Sequence, residues 1–132
     1  MGNVRIVVAG SRDFEDYELL STTLFGIIEN LINTNILDKP SQLEFVSGTC
    51  RGADILGERF AESCGYKIKR FQAKWDELGK RAGWVRNCDM AKYASKADIG
   101  ILVAFWDGVS KGTRNMIDIA KRYGLSVKVI RY

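Results

Sequence analysis

The fold class this sequence predicts is a single doubly wound α/β domain, with a five-stranded parallel sheet and helices on both faces. Three observations predict it. Short β-rich apolar runs alternate with stretches whose apolar residues recur every three or four positions, the marks of strands and amphipathic helices. The runs near residues 10, 48 and 108 give way to glycine-bearing turns that lead into helical patterns. The length, 132 residues, suffices for one core and is too short for two ordinary ones, so residues 1–132 are expected to form one domain.

Val4 to Ala9 (VRIVVA) is a nearly continuous apolar run ending at Gly10, as a central strand buried on both faces requires. From Tyr17 to Ile32, Leu20, Leu24, Ile27, Ile28 and Leu31 fall at helical spacing, and residues 33–40 break the pattern. Leu43 to Val46 forms a second strand, and Ala53, Leu56, Phe60 and Ala61 mark a helix that stops at Gly65. Tyr66 to Phe71 (YKIKRF) alternates polar and apolar residues, which suits a strand near the sheet edge. The polar stretch AKWDELGKRAGW reads as a loop, Val85 to Ala94 as a helix, and Ile99 to Trp106 (IGILVAFW) as an interior strand. Thr113 to Tyr123 and Ser126 to Ile130 supply the last helix and strand. Parallel neighbours need crossover connections, so this β-α alternation describes a Rossmann-like domain, in which ligands sit beyond the carboxyl ends of the strands.

Composition narrows the chemistry. The 46% hydrophobic and 27% charged residues are those of a globular chain, and the longest apolar runs fall far below the roughly 20 residues that span a bilayer. With no secretory h-region at the N-terminus, the expected location is cytoplasmic, with no membrane partner. Cys50, Cys64 and Cys88 have neither disulfide-framework nor zinc spacing and are expected to be reduced. The sequence contains no histidine, which excludes Ser-His and Cys-His nucleophilic pairs and the common zinc sites, and no metal site is expected. Any chemistry must use carboxylates, Lys, Arg, Tyr or the ligand itself.

The strand-end loops carry the candidate site. After the first strand, Gly10, Ser11 and Arg12 offer close backbone approach, a hydroxyl and a planar fork of donors, or else form a simple turn. After the second, SGTCRGAD places Ser47, Gly48, Arg51, Gly52 and Asp54 ahead of a helix, like an anion-binding glycine loop, although the GK[ST] ending of a P-loop is missing. Its ordinary alternative is a tight β-α turn in which Asp54 complements the helix dipole. After the fourth, WDGVSKGT supplies Asp107, Gly108, Ser110, Lys111, Gly112 and Thr113, where a plain N-cap by Ser110 or Thr113 is the alternative to anion binding. Between Lys67 and Lys96 nine basic residues face three acids, a local excess of six against +4 for the whole chain. Arg86, beside Asn87, is the one singled out there. Trp75, Trp84 and Trp106 flank these loops and are able to stack on a base or to fill the core.

Taken in order, VAGSRDF, SGTCRGAD, Trp75, Gly83, Arg86-Asn87 with Met90, and WDGVSKGT resemble the motifs of YspA-like (YpsA-related) proteins of the SLOG superfamily, along nearly the whole chain. That superfamily also holds the LOG phosphoribohydrolases and DprA/Smf. The resemblance implies a Rossmann-like fold whose glycine loops bind a nucleotide or nucleotide-derived ligand such as AMP, ADP-ribose or NAD, often in phage or anti-phage settings. It implies a homodimer as well. In LOG-type enzymes an RKxxM segment supplies a catalytic Arg and PGGxGTxxE a carboxylate. Arg86 and Met90 match the first, with Asn87 in place of Lys, and Gly112 and Thr113 match the second, but Met116 stands where the Glu belongs.

Cleavage of an N-ribosyl bond builds positive charge on the sugar, which a carboxylate stabilises and a Met side chain does not. A sensor or sequestering protein is therefore expected ahead of an enzyme. In it Gly10, Ser11, Arg12, Ser47, Gly48, Gly52, Ser110, Gly112 and Thr113 would hold phosphates, Arg86 would pair charge, and Asp54 or Asn87 would reach ribose hydroxyls. Beyond this nucleotide-derived ligand no cofactor is expected. The alternative is a nucleotide phosphoribohydrolase or related N-glycosidase, with Arg86 and Asp107 as candidate catalytic residues. A third reading is single-stranded DNA binding through the basic middle segment.

Overall fold

The structure, a computed structural model describing residues 2–132, runs β1 (Val4–Gly10), α1 (Tyr17–Asn33), β2 (Leu43–Ser47), α2 (Ala53–Cys64), β3 (Lys67–Arg70), α3 (Trp75–Leu78), α4 (Ala82–Ser95), β4 (Ile99–Trp106), α5 (Lys111–Arg122) and β5 (Ser126–Arg131). All five strands are parallel, in the order β3-β2-β1-β4-β5. This is the doubly wound α/β architecture. β1 lies at its centre, with Val4 opposite Leu43 of β2 on one side and Ile99 of β4 on the other.

Side-chain alternation along each central strand feeds two cores, one on each face of the sheet. Val4, Ile6 and Val8 of β1, with Ile101, Val103 and Phe105 of β4, pack with α1 and α2 residues such as Leu24 and Phe60. Val7 and Ala9, with Leu102 and Ala104, pack with Met90 of α4 and with Met116 and Ile119 of α5. Phe14, Phe45, Phe60 and Phe105 are fully buried, and each contributes roughly 1.5–3 kcal/mol by leaving water. β3 is an edge strand whose lysines are exposed. Cys50, Cys64 and Cys88 are unpaired thiols.

Several boundaries depart from the sequence expectation, among them the start of α4, at Ala82 rather than Val85. The stretch read as a polar loop contains α3, one helical turn followed by a 3₁₀ turn over residues 79–81. Asp76 and Glu77 in that first turn complement the helix dipole, and Gly79, at φ +58°, ends it. Helix α5 begins at Lys111 rather than Thr113, so Gly112 and Thr113 lie in its first turn. Apolar periodicity is silent about a first turn made of polar and small residues. Among the described residues no helix is long and apolar enough to cross a membrane.

Candidate functional site

Strand order reverses between β1 and β4: from β1 the chain builds outward to β2 and β3, then returns to lay β4 on the other side. At such a switch point the two adjoining loops diverge and leave a crevice beyond the carboxyl ends. A pocket of about 80 Å³ lies there, with Ala9, Met90 and Met116 as its apolar lining and Asp54, Arg86, Asn87, Ser110 and Thr113 as its polar one.

The loop after β1 is pressed tightly between its neighbours. A Cβ on Gly10 would strike the Phe105 carbonyl and come within 2.7 Å of the Ala53 Cβ, and one on Gly52, at φ +88°, would strike the Ser11 carbonyl. Both positions need glycine for close approach. The Ser11 N–H donates to the Phe105 carbonyl (3.0 Å), and its Oγ accepts from the Asp107 N–H (3.3 Å). Ser11 is thus a tie between the β1 and β4 loops. Arg12 extends from the same turn, exposed, along the mouth of the pocket.

In the loop after β2, the Ser47 hydroxyl donates to Glu58 (2.6 Å) and accepts from the Thr49 N–H (3.0 Å). Glu58 also accepts from Arg70 (2.8 Å), so all three are engaged within the fold. Asp54, in the first turn of α2, is buried and accepts a long hydrogen bond from the Cys50 N–H (3.3 Å). Burial pushes its carboxyl up to about 7, outweighing the opposing pull of Arg86 and of the Cys50 N–H.

Helix α4 brings Arg86 and Asn87 to the opposite wall. Arg86 is anchored by Nη1 donating to the Gly48 carbonyl (2.8 Å) and the Cys50 sulfur (3.3 Å), and by Nε donating to Asn87 Oδ1 (3.2 Å). Asn87 Nδ2 donates in turn to Asn115 Oδ1 of α5 (2.9 Å) and to the Gly112 carbonyl (3.4 Å). This part-buried chain of amides ties α4 to α5 and orients the guanidinium.

After β4, Asp107 Oδ1 accepts from the Val109 and Ser110 N–H groups (2.8 Å each), which holds its carboxyl below the usual range. Trp106 Nε1–H donates to the Ser110 carbonyl (3.0 Å). The Ser110 and Thr113 hydroxyls pair with each other (3.3 Å), and the Ser110 side chain makes no capping bond to the first turn of α5. Ser110 holds the N-cap position without making a side-chain cap bond, Thr113 lies inside the helix, and the start of α5 faces the crevice with its partial positive charge.

Of the residues singled out in the sequence, the pocket brings together Gly10, Arg12, Asp54, Arg86, Asn87, Ser110, Gly112 and Thr113. Gly48, Arg51 and Gly52 line wider clefts beside it. Ser11, Ser47, Asp107, Gly108 and Lys111 stay outside these linings. Asp107, a candidate catalytic residue by sequence, is occupied with its own turn. Sequence reasoning missed Ala9, Cys50 and Asn115. The first two are neighbours of singled-out residues, whereas Asn115, an unremarkable polar position on a helix, carried no signal.

Sheet and crevice together define a Rossmann-like α/β protein with a switch-point pocket that joins a guanidinium, a buried carboxyl and an uncapped helix start. A sequence model of the YAcAr family (YspA, cpYpsA-related SLOG family) matches residues 4–78, and the chain belongs to that family. It is similar to the Gene 61 protein of Mycobacterium phage D29, at 30% identity over 128 residues covering 93% of each chain. No solved structure matches it. Membership of this family suggests a nucleotide-related function.

Proposed function

We propose that the pocket binds the phosphate or phosphoribosyl part of a nucleotide-derived ligand, and that the protein acts as a sensor or sequestering protein. The observation that carries this reading is the meeting in one pocket of Arg86, oriented by Asn87, with Asp54 and the uncapped start of α5, contributed by the segments after β2, β3 and β4. Charge-assisted and helix-start donors are the usual means of holding a phosphate. Asp54 fits beside an anion because burial pushes its carboxyl up to about 7. An incoming phosphate favours the neutral acid, which then donates a hydrogen bond. Equilibrium binding of AMP, ADP-ribose and NAD tests the reading, with saturable binding of at least one expected. That affinity falls as pH rises past 7, and Asp54→Asn flattens the fall. A folded sample that binds none of the panel overturns it.

One observation favours a second reading, N-glycosidic hydrolysis. Met116 fills the position of the LOG glutamate and is buried, yet Asp54 lines the same pocket as Arg86 from another side. A carboxyl there is suited to taking a proton from water that attacks the sugar carbon as the bond to the base breaks, the base leaving with the bonding pair and taking up a proton, while Arg86 holds the phosphate. Release of free base from the same panel, abolished by both Arg86→Ala and Asp54→Asn, would establish turnover.

A further inference from the structure

The pocket at the switch point, about 80 Å³, has room for a group of phosphate or pentose size and not for a whole nucleotide. Ordinary small-molecule sites run to roughly 300–1,000 Å³. Directly beside it lies a cleft of about 530 Å³ that shares Arg12, Cys50 and Arg86 with it and is bounded on its far side by Trp75. A ligand group held in the inner pocket therefore has one continuous route outward, past the Arg86 guanidinium and onto the indole.

Trp75 is held in place there. It opens α3, whose Glu77 and Leu78 N–H groups both donate to the Lys74 carbonyl (3.1 and 2.9 Å). Its six-membered ring lies against Gly83, where a Cβ would sit 3.3 Å from Cη2 and 3.9 Å from Arg86 Nη2. Indole and guanidinium thus flank the same bare backbone position. The indole nevertheless remains 48% exposed, a large apolar surface that solvent covers at an unfavourable free energy. The other two tryptophans are placed differently. Trp106 is bonded to the Ser110 carbonyl, and Trp84, although 52% exposed, lines neither cavity.

We infer that the cleft beside Trp75 is a nucleobase subsite, in which an aromatic base stacks on the indole while the phosphoribosyl part of the same ligand occupies the inner pocket. The inference rests on the binding reading above and deepens it, because it requires the ligand to carry a base. Stacking on an aromatic face is tolerant of base identity, and Arg12 and Arg51 add cations along the cleft.

Titration of the full chain with AMP and with ribose 5-phosphate, which lacks the base, tests it. AMP is expected to bind at least about tenfold more tightly and to quench tryptophan fluorescence. Trp75→Ala should reduce AMP to the affinity of ribose 5-phosphate and leave the latter within about twofold, the selectivity that loss of one stacking platform predicts. Trp75→Phe should restore most of the difference while removing the quenching, and Trp84→Ala should change neither affinity. Equal affinities for the two compounds, or a Trp75→Phe protein that loses both equally, overturn the base subsite and leave the inner pocket's role standing. Binding of neither compound overturns both.

Discussion

The loops after β2 and β4 are written in nearly the same alphabet, with glycines, hydroxyls, a basic residue and one aspartate near a helix start, yet they use that aspartate in opposite ways. Asp54 follows its turn, lies within the helix, and projects into the pocket, where burial raises its carboxyl to about 7. Asp107 precedes its turn, captures the Val109 and Ser110 N–H groups, and is held below the usual carboxylate range. The hydroxyls diverge as well: Ser47 is spent on Glu58, whereas Ser110 and Thr113 line the pocket. Position relative to the helix start decides whether an aspartate serves the loop or the ligand. Donors that the loop has already satisfied are not available to bind anything else.

The largest expected effect that sharpens this contrast is the pH dependence carried by Asp54. Its folded value of about 7 exceeds the unfolded 3.8, so between these values the native state binds more protons than the unfolded one, and stability falls as pH rises from 4 to 7. The loss amounts to about 4 kcal/mol. Chemical denaturation of Asp54→Asn across that range should show it removed, with the variant more stable than the parent at pH 8. An unchanged profile would mean that Asp54 is solvated. Asp107→Asn should have no such effect.

The two positive-φ glycines of these loops give the next effect. At Gly52 a Cβ meets backbone, the Ser11 carbonyl and the Arg12 Cα, whereas at Gly108 it meets the guanidinium of Arg131, which is able to swing away. Gly52→Ala should therefore cost about 3 kcal/mol in denaturant unfolding and Gly108→Ala about 1 kcal/mol. Equal costs would show that loop strain rather than close approach sets both.

The smallest effect is that of Asp107→Ala, which leaves two N–H groups to water at an exposed turn and should lower stability by about 1 kcal/mol. AMP affinity should fall only as far as the start of α5 loosens. A loss as large as that of Arg86→Ala would move Asp107 from the loop's framework into the site.

Much of the fold was legible because its strands and helices are long enough to show their periods, as the runs at Val4–Gly10 and Ile99–Trp106 do. Helix α3 was not, since a four-residue turn has no period to read. The glycines marked where the crevice would be, and Arg86 stood out by its motif. Ser47 and Asp107 looked as promising as Ser110 and Asp54, because partners such as Glu58, or an N–H two residues on, do not announce themselves in a linear string.

By itself the sequence determined the parallel α/β architecture, the two apolar faces of the sheet and the three glycine turns, all of which follow from local periodicity and backbone freedom. Only the tertiary structure decided which polar side chains remain unspent and face one another. That outcome depends on contacts between residues distant in the chain, such as Arg86 with Gly48 and Asn87 with Asn115. It depends equally on burial, which dominates at Asp54 and is outweighed by backbone hydrogen bonds at Asp107.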